Sequence, residues 1–197
     1  MEKPGEPCRI LMLGNSLTFA NDLPGMLAKL TGAQVVHHTR GGARLSEQLN
    51  PKTRLGAQTH AALSREHWDY VVLQEMSHGP FSSPDRFFAS VEQLCAQIRA
   101  AGAVPVLYAT WAYRKDCPKL AAKGWDYEQM ARSMAETCRT AARKNNALLA
   151  DVGQRFYQLA DTLNLYAADG VHPSEAGSRL AAETIAAAIQ THKENES

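Results

Sequence analysis

An excess of charge of either sign is what this sequence most plainly lacks. Its 21 lysines and arginines are met by 20 aspartates and glutamates, a net of +1. That balance offers no broad basic surface, so neither nucleic acid nor an acidic bilayer is an expected partner. Long apolar runs are missing too. None approaches the roughly 18 residues that a membrane helix needs. The opening residues, Met1-Glu2-Lys3-Pro4-Gly5-Glu6-Pro7, lack the apolar core of a secretory signal, and the chain as given reads as cytoplasmic unless a signal has been removed. Cysteine is sparse. Cys8, Cys95, Cys117 and Cys138 include no pair at metal-ligand spacing, which points to reduced thiols and to no metal site. A chain of 197 residues does not need disulfide staples. Phosphate-cradling patterns, Gly-x-x-x-x-Gly-Lys and Gly-x-Gly-x-x-Gly, are absent from the glycine-bearing loop after the second apolar run, and no cofactor is expected.

What is present has the composition of an ordinary globular domain, 45% hydrophobic and 21% charged. We assign one domain to residues 8–190, with flexible termini at 1–7 and 191–197. Five short apolar runs read as strands, at residues 8–13, 34–38, 70–74, 104–110 and 147–150. Most are near-continuous, as a parallel sheet covered on both faces requires. Helical periodicity lies between them. Leu23, Leu27 and Leu30 share a face; so do Phe87, Val91, Leu94 and Ile98; so do Met130, Met134 and Cys138; and Ala181, Ile185, Ala188 and Ile189 form a last stripe. Alternating strands and helices with short links predict a doubly wound α/β sheet. Residues 78–85 and 112–124 read as irregular stretches after strand ends.

Strand ends on one edge of a parallel sheet collect ligands. Four stretches reach that edge. Gly14-Asn15-Ser16-Leu17 follows the first strand and delivers a hydroxyl, which is a nucleophile only if a base can reach it and otherwise a turn or cap residue. Asp169-Gly170-Val171-His172-Pro173-Ser174 enters the last helix, with Pro173 fitting its first turn. Asp169 can orient the imidazole of His172, or the segment is simply an Asp-Gly turn beside a capping histidine. Arg40-Gly41-Gly42-Ala43-Arg44 follows the second strand and exposes backbone N–H groups to a developing oxyanion, or merely turns. Gln74-Glu75 closes the third strand, with a side-chain amide at Gln74 and a carboxylate at Glu75 that also fits a solvated strand end.

Taken together, these blocks resemble the SGNH hydrolases, also called the GDSL-like lipase/esterase family. Gly14-Asn15-Ser16-Leu17 looks like the first block, with Asn where Asp is often found. Gly42 falls at the second-block glycine, and Asp169-Gly170-Val171-His172-Pro173-Ser174 looks like the last block. The third block departs, because Leu73-Gln74-Glu75-Met76-Ser77 stands where Gly-x-Asn-Asp is usual. The resemblance implies a three-layer α/β/α, flavodoxin-like sandwich with a five-stranded parallel sheet of order 2-1-3-4-5. It implies an acyl-serine mechanism with Ser16 as nucleophile, His172 as base and Asp169 orienting it. The oxyanion would be held by the N–H groups of Ser16 and Gly42 and the amide of Gln74. The expected partner is a small-molecule ester, with acetyl groups on carbohydrates matching the habits of the superfamily.

Arg44, Glu75, His78 and Trp111 are the candidate substrate contacts, with Arg40, Phe81, Tyr113 and Arg114 nearby on the rim. Trp111 either packs on a substrate face or caps the core. No long apolar lid segment is visible, which argues against a true lipase. An acyltransferase using the same triad and a non-catalytic binding module on the same scaffold are the competing readings. A nucleotide-binding flavodoxin-like protein would need a first loop richer in Ser, Thr or Gly than Asn15-Ser16-Leu17-Thr18.

Overall fold

Apolar runs buried on both sides dictate the architecture. The computed structural model describes residues 7–196. Five strands, β1 (Arg9–Gly14), β2 (Gln34–Thr39), β3 (Tyr70–Leu73), β4 (Val104–Ala109) and β5 (Leu148–Asp151), form one sheet of order β2-β1-β3-β4-β5. Every neighbouring pair is parallel. The three inner strands are buried almost throughout, whereas edge strand β2 alternates between half-buried and exposed positions. The sheet order is the one implied by the sequence, and each strand matches its expected segment to within one residue at either end.

Helices cover both faces. They are α1 (Ser16–Phe19), α2 (Leu23–Thr31), α3 (Leu45–Gln48), α4 (Arg54–Arg65), α5 (Gly79–Ser82), α6 (Pro84–Ala100), α7 (Pro118–Lys123), α8 (Tyr127–Lys144), α9 (Val152–Leu159) and α10 (Glu175–Glu196). On one face Ile10, Met12, Val72, Val106 and Tyr108 pack against Leu23 and Leu27 of α2, Phe156 of α9 and Ile185 and Ile189 of α10. On the other Leu11, Leu13, Val71, Leu73 and Leu107 pack against Ala62 of α4, Phe87, Val91, Leu94 and Ile98 of α6, and Cys138 and Ala141 of α8. The anticipated stripes are therefore buried, with Ala188 half-buried and one residue exposed. Leu30, in the last turn of α2, is 51% exposed.

Three boundaries differ from expectation. The stretches 78–85 and 112–124 contain the short helices α5 and α7, each with a proline in its first turn. Pro173 lies before α10, not within it; Pro173 bridges to Tyr166, and the Ser174 hydroxyl accepts from Gly177 N at 3.1 Å. The polar stretch 191–196 continues α10, held in part by a Gln190–Glu194 hydrogen bond of 2.9 Å. Of the proposed flexible termini, residues 1–6 and 197 lie outside the described residues.

Where α10 begins, its backbone passes very close to its neighbours. A Cβ at Gly177 would lie 2.2 Å from the carbonyl oxygen of Leu165 and 2.9 Å from the Phe156 ring. Glycine to alanine in a helix normally gains up to about 1 kcal/mol. Gly177→Ala is expected to reverse that sign and lower the melting temperature by several degrees, as differential scanning calorimetry would show.

Candidate active site

Gly14 has no room for a side chain: a Cβ there would meet Thr18 Oγ1 at 2.4 Å and Gln74 Oε1 at 2.5 Å. The chain turns on this residue out of β1. Asn15 then caps α1 in an extended conformation, its Oδ1 accepting from Leu17 N at 3.0 Å. Its Nδ2 donates to the carbonyl of Ala43 at 3.0 Å, which ties the turn to the loop after β2. Ser16, the first residue of α1, is thereby held at the carboxyl edge of the sheet.

The loop before α10 supplies its partners. Ser16 Oγ lies 2.9 Å from His172 Nε2, and His172 Nδ1 lies 2.6 Å from Asp169 Oδ2. Asp169 Oδ1 also accepts from Val171 N at 3.0 Å and His172 N at 2.9 Å. Partial burial pushes the Asp169 carboxyl up, but the hydrogen bonds from the His172 ring and from the two backbone N–H groups outweigh it and hold it at about 2. An ionised carboxylate only accepts, so Nδ1 carries the proton and Nε2 is left to accept from the Ser16 hydroxyl. The side chains of His172 and Asp169 are 40% and 41% exposed, so the chain of hydrogen bonds opens to solvent.

Gly42 adopts a left-handed φ of 70°, with open space where a Cβ would lie. Among the described residues, the N–H groups of Ser16 and Gly42 have no protein acceptor. Gln74 behaves otherwise than the sequence suggested. It is 0% exposed, and its Oε1 accepts from Asn15 N and Thr18 Oγ1, both at 2.9 Å. Those donors fix the orientation of the amide, whose Nε2 donates to the carbonyl of Glu75. The side chain is wedged beneath the Gly14-Asn15 turn and braces it from below; it does not present its amide to the rim.

Glu75 and Trp111 also differ from expectation. Glu75 is 4% exposed, and its carboxylate accepts from Met76 N at 2.7 Å and is stabilised by the nearby backbone N–H of Leu45, the first residue of α3. Burial raises its pKa, against those hydrogen bonds and the nearby charges of Arg44 and Arg86. It is a buried strap between β3 and the Gly42 loop. Trp111 is 2% exposed and stacks on Phe156 at 3.9 Å, while its Nε1 donates to Val171 O at 3.0 Å. Of its two sequence readings the core cap is realised, and the ring supports the Asp169–His172 loop from beneath. Arg44 and His78 remain on the rim, both half-buried. Arg40 pairs with Glu47, and Arg114 with Asp116.

Other residues that build the site were not singled out from sequence. Asn21, at a left-handed φ of 54°, donates to Pro173 O at 3.1 Å and Ser178 Oγ at 2.9 Å, joining the nucleophile segment to the last helix. Asparagine tolerates that conformation, which is the only local signal it carries. Cys117 Sγ approaches Asp169 O at 3.4 Å, and nothing in its sequence neighbourhood announces it.

The profile of the GDSL-like Lipase/Acylhydrolase family matches residues 12–180. A candidate SGNH hydrolase from Slackia heliotrinireducens shares 56% identity, with a TM-score of 0.90 over 93% of this chain and 100% of that one. A DUF4886 family protein from Bacteroides uniformis shares 21% identity and a TM-score of 0.71, over 93% of this chain and 83% of that one. A catalytic mutant of an acetylxylan esterase from Geobacillus stearothermophilus shares the fold at 18% identity and a TM-score of 0.69, over 95% and 96% of the two chains. No curated protein matched the sequence.

Two outcomes are expected from the loop that carries Asp169 and His172. Trp111→Phe keeps the ring stack but leaves the Val171 carbonyl without its donor, at a cost of about 1–3 kcal/mol; urea denaturation reads the loss. The folded Asp169 carboxyl sits below its unfolded value of about 3.9. Its contribution to stability is therefore complete above that value and is lost as pH falls through about 2. Urea midpoints measured from pH 5 to pH 2 are expected to fall less steeply in Asp169→Asn than in the wild type.

Proposed function

This chain belongs to the GDSL-like lipase/acylhydrolase family and is a carboxylic ester hydrolase, and on that premise we propose that it removes small acyl groups, acetyl foremost, from esters of polyols or carbohydrates through an acyl-serine intermediate. The observation that carries this reading is the continuous chain Ser16 Oγ–His172 Nε2, His172 Nδ1–Asp169 Oδ2. Ser16 Oγ attacks the ester carbonyl carbon as its proton passes to His172 Nε2. The N–H groups of Ser16 and Gly42 receive the oxyanion. Collapse breaks the bond to the alkoxy oxygen, which leaves as the alcohol with the proton from Nε2. Water then attacks the acyl-serine, again through His172, and releases the carboxylic acid and free Ser16. Asp169 keeps the imidazole in the required tautomer throughout.

The openness of the His172–Asp169 pair suits water as the second acceptor. The preference for a small acyl group draws on the absence of a long apolar lid segment. The carbohydrate alcohol draws on the shared fold with the acetylxylan esterase.

Ser16→Ala is expected to abolish labelling by a fluorophosphonate probe and to reduce turnover of p-nitrophenyl acetate by at least about 10³-fold. A folded wild-type protein that neither labels nor turns over would overturn the proposal and leave the binding-module reading in its place.

A further inference from the structure

The rim beside Ser16 is asymmetric in charge. Most acids there are already engaged: Glu47 with Arg40, Asp116 with Arg114, and Asp169 with His172. Glu75 is buried, its carboxylate accepting from Met76 N. Among the described residues, Arg44 and Lys123 stand outside any ion pair, Arg44 with the buried Glu75 carboxylate as its nearby opposite charge.

These two cations border one patch. Arg44 follows the Gly42-Ala43 turn and precedes Leu45, whose N–H stands near the Glu75 carboxylate. Glu75 in turn packs against Gly79, next to His78; a Cβ at Gly79 would lie 2.6 Å from Glu75 Cγ. The His78 ring lies 5.1 Å from that of Trp125, and Lys123 Nζ stands 4.8 Å from the centre of the Trp125 ring. Tyr113 and Phe81 close the cluster from behind. Burial lowers the pKa of His78, and the charges of Lys123 and Arg44 lower it further, so both cations stand near the imidazole. Arg44 is half-buried beside the buried Glu75 carboxylate and Lys123 is exposed, so an anion entering the patch meets positive charge from two sides.

We infer that the ester taken by this site carries an anionic group on a planar or sugar-like body, with Arg44 and Lys123 receiving the charge and His78 and Trp125 the body. The inference rests on the ester chemistry proposed for Ser16 and narrows it from neutral acetyl esters to acidic ones. Arg44 and Lys123 act on binding and take no part in bond making.

The test compares esters with and without one free carboxylate. On the alcohol side these are 4-acetoxybenzoate and its methyl ester. On the acyl side they are mono-4-nitrophenyl glutarate and 4-nitrophenyl butyrate. In low salt the wild type is expected to prefer the anion in one of the two pairs by about three- to tenfold in kcat/KM, as two partly exposed charge pairs allow. The preferred pair tells whether the anion belongs to the alcohol or to the acid. That ratio is expected to fall toward one in Arg44→Gln, in Lys123→Gln and in 0.5 M NaCl, through KM more than kcat. Lys123 is exposed, so its substitution leaves folding intact. Equal rates within both pairs, or a preference that survives both substitutions, would overturn the inference while leaving ester hydrolysis untouched. Calorimetric binding of 4-acetoxybenzoate to Ser16→Ala, weakened by Lys123→Gln, would sustain it even if the wild type hydrolysed none of the four esters.

Discussion

The hydrogen bond between Ser16 Oγ and His172 Nε2 joins residues 156 positions apart, and the rest of the molecule is arranged so that it can form. A hydroxyl and an imidazole are flexible groups with many alternative partners in water. Holding them 2.9 Å apart requires that both backbone segments be placed before the side chains meet. The parallel sheet does the coarse placement. It brings the ends of β1, β2, β3 and β4 to one edge and packs α10 along the face that β1 also presents. The right-handed crossovers of such a sheet leave few other ways to connect these elements.

Finer placement comes from buried polar groups. Gln74 holds the Gly14-Asn15 turn, Asn15 holds Ala43, and Glu75 holds the start of α3. Trp111 and Cys117 do the same for the loop of Asp169 and His172. Each of these groups would be costly to bury alone, and each is matched to a specific backbone partner. A purely apolar floor would fill the same volume without specifying where the N–H groups of Ser16 and Gly42 point. Asn21 extends this logic across the molecule, because a left-handed residue near α1 reaches the segment that carries His172.

Above that dry floor the site is wet and charged. His172 and Asp169 are two-fifths exposed, in contrast to the buried braces below them. The boundary between the two regimes separates two kinds of side chain. Gln74, Glu75 and Trp111 lie below it and act on the backbone. Arg44, His78 and Lys123 lie at or above it, half-buried or exposed.

The sequence by itself determined the sheet, its order through the family resemblance, and the residues that meet at its edge. Those features depend on near-continuous apolar runs, on helical periodicity, and on short motifs such as Gly14-Asn15-Ser16-Leu17 and Asp169-Gly170-Val171-His172, all of them local patterns. The short helices α5 and α7 escaped because four to six residues carry too little periodicity to register. Only the tertiary structure decided which rim candidates face the solvent and which face the core. Gln74, Glu75 and Trp111 have polar atoms that suit a ligand as well as a backbone carbonyl or N–H. For Gln74 and Trp111, which of the two they meet depends on a neighbour 56 to 60 residues away, and a linear pattern holds no record of that distance.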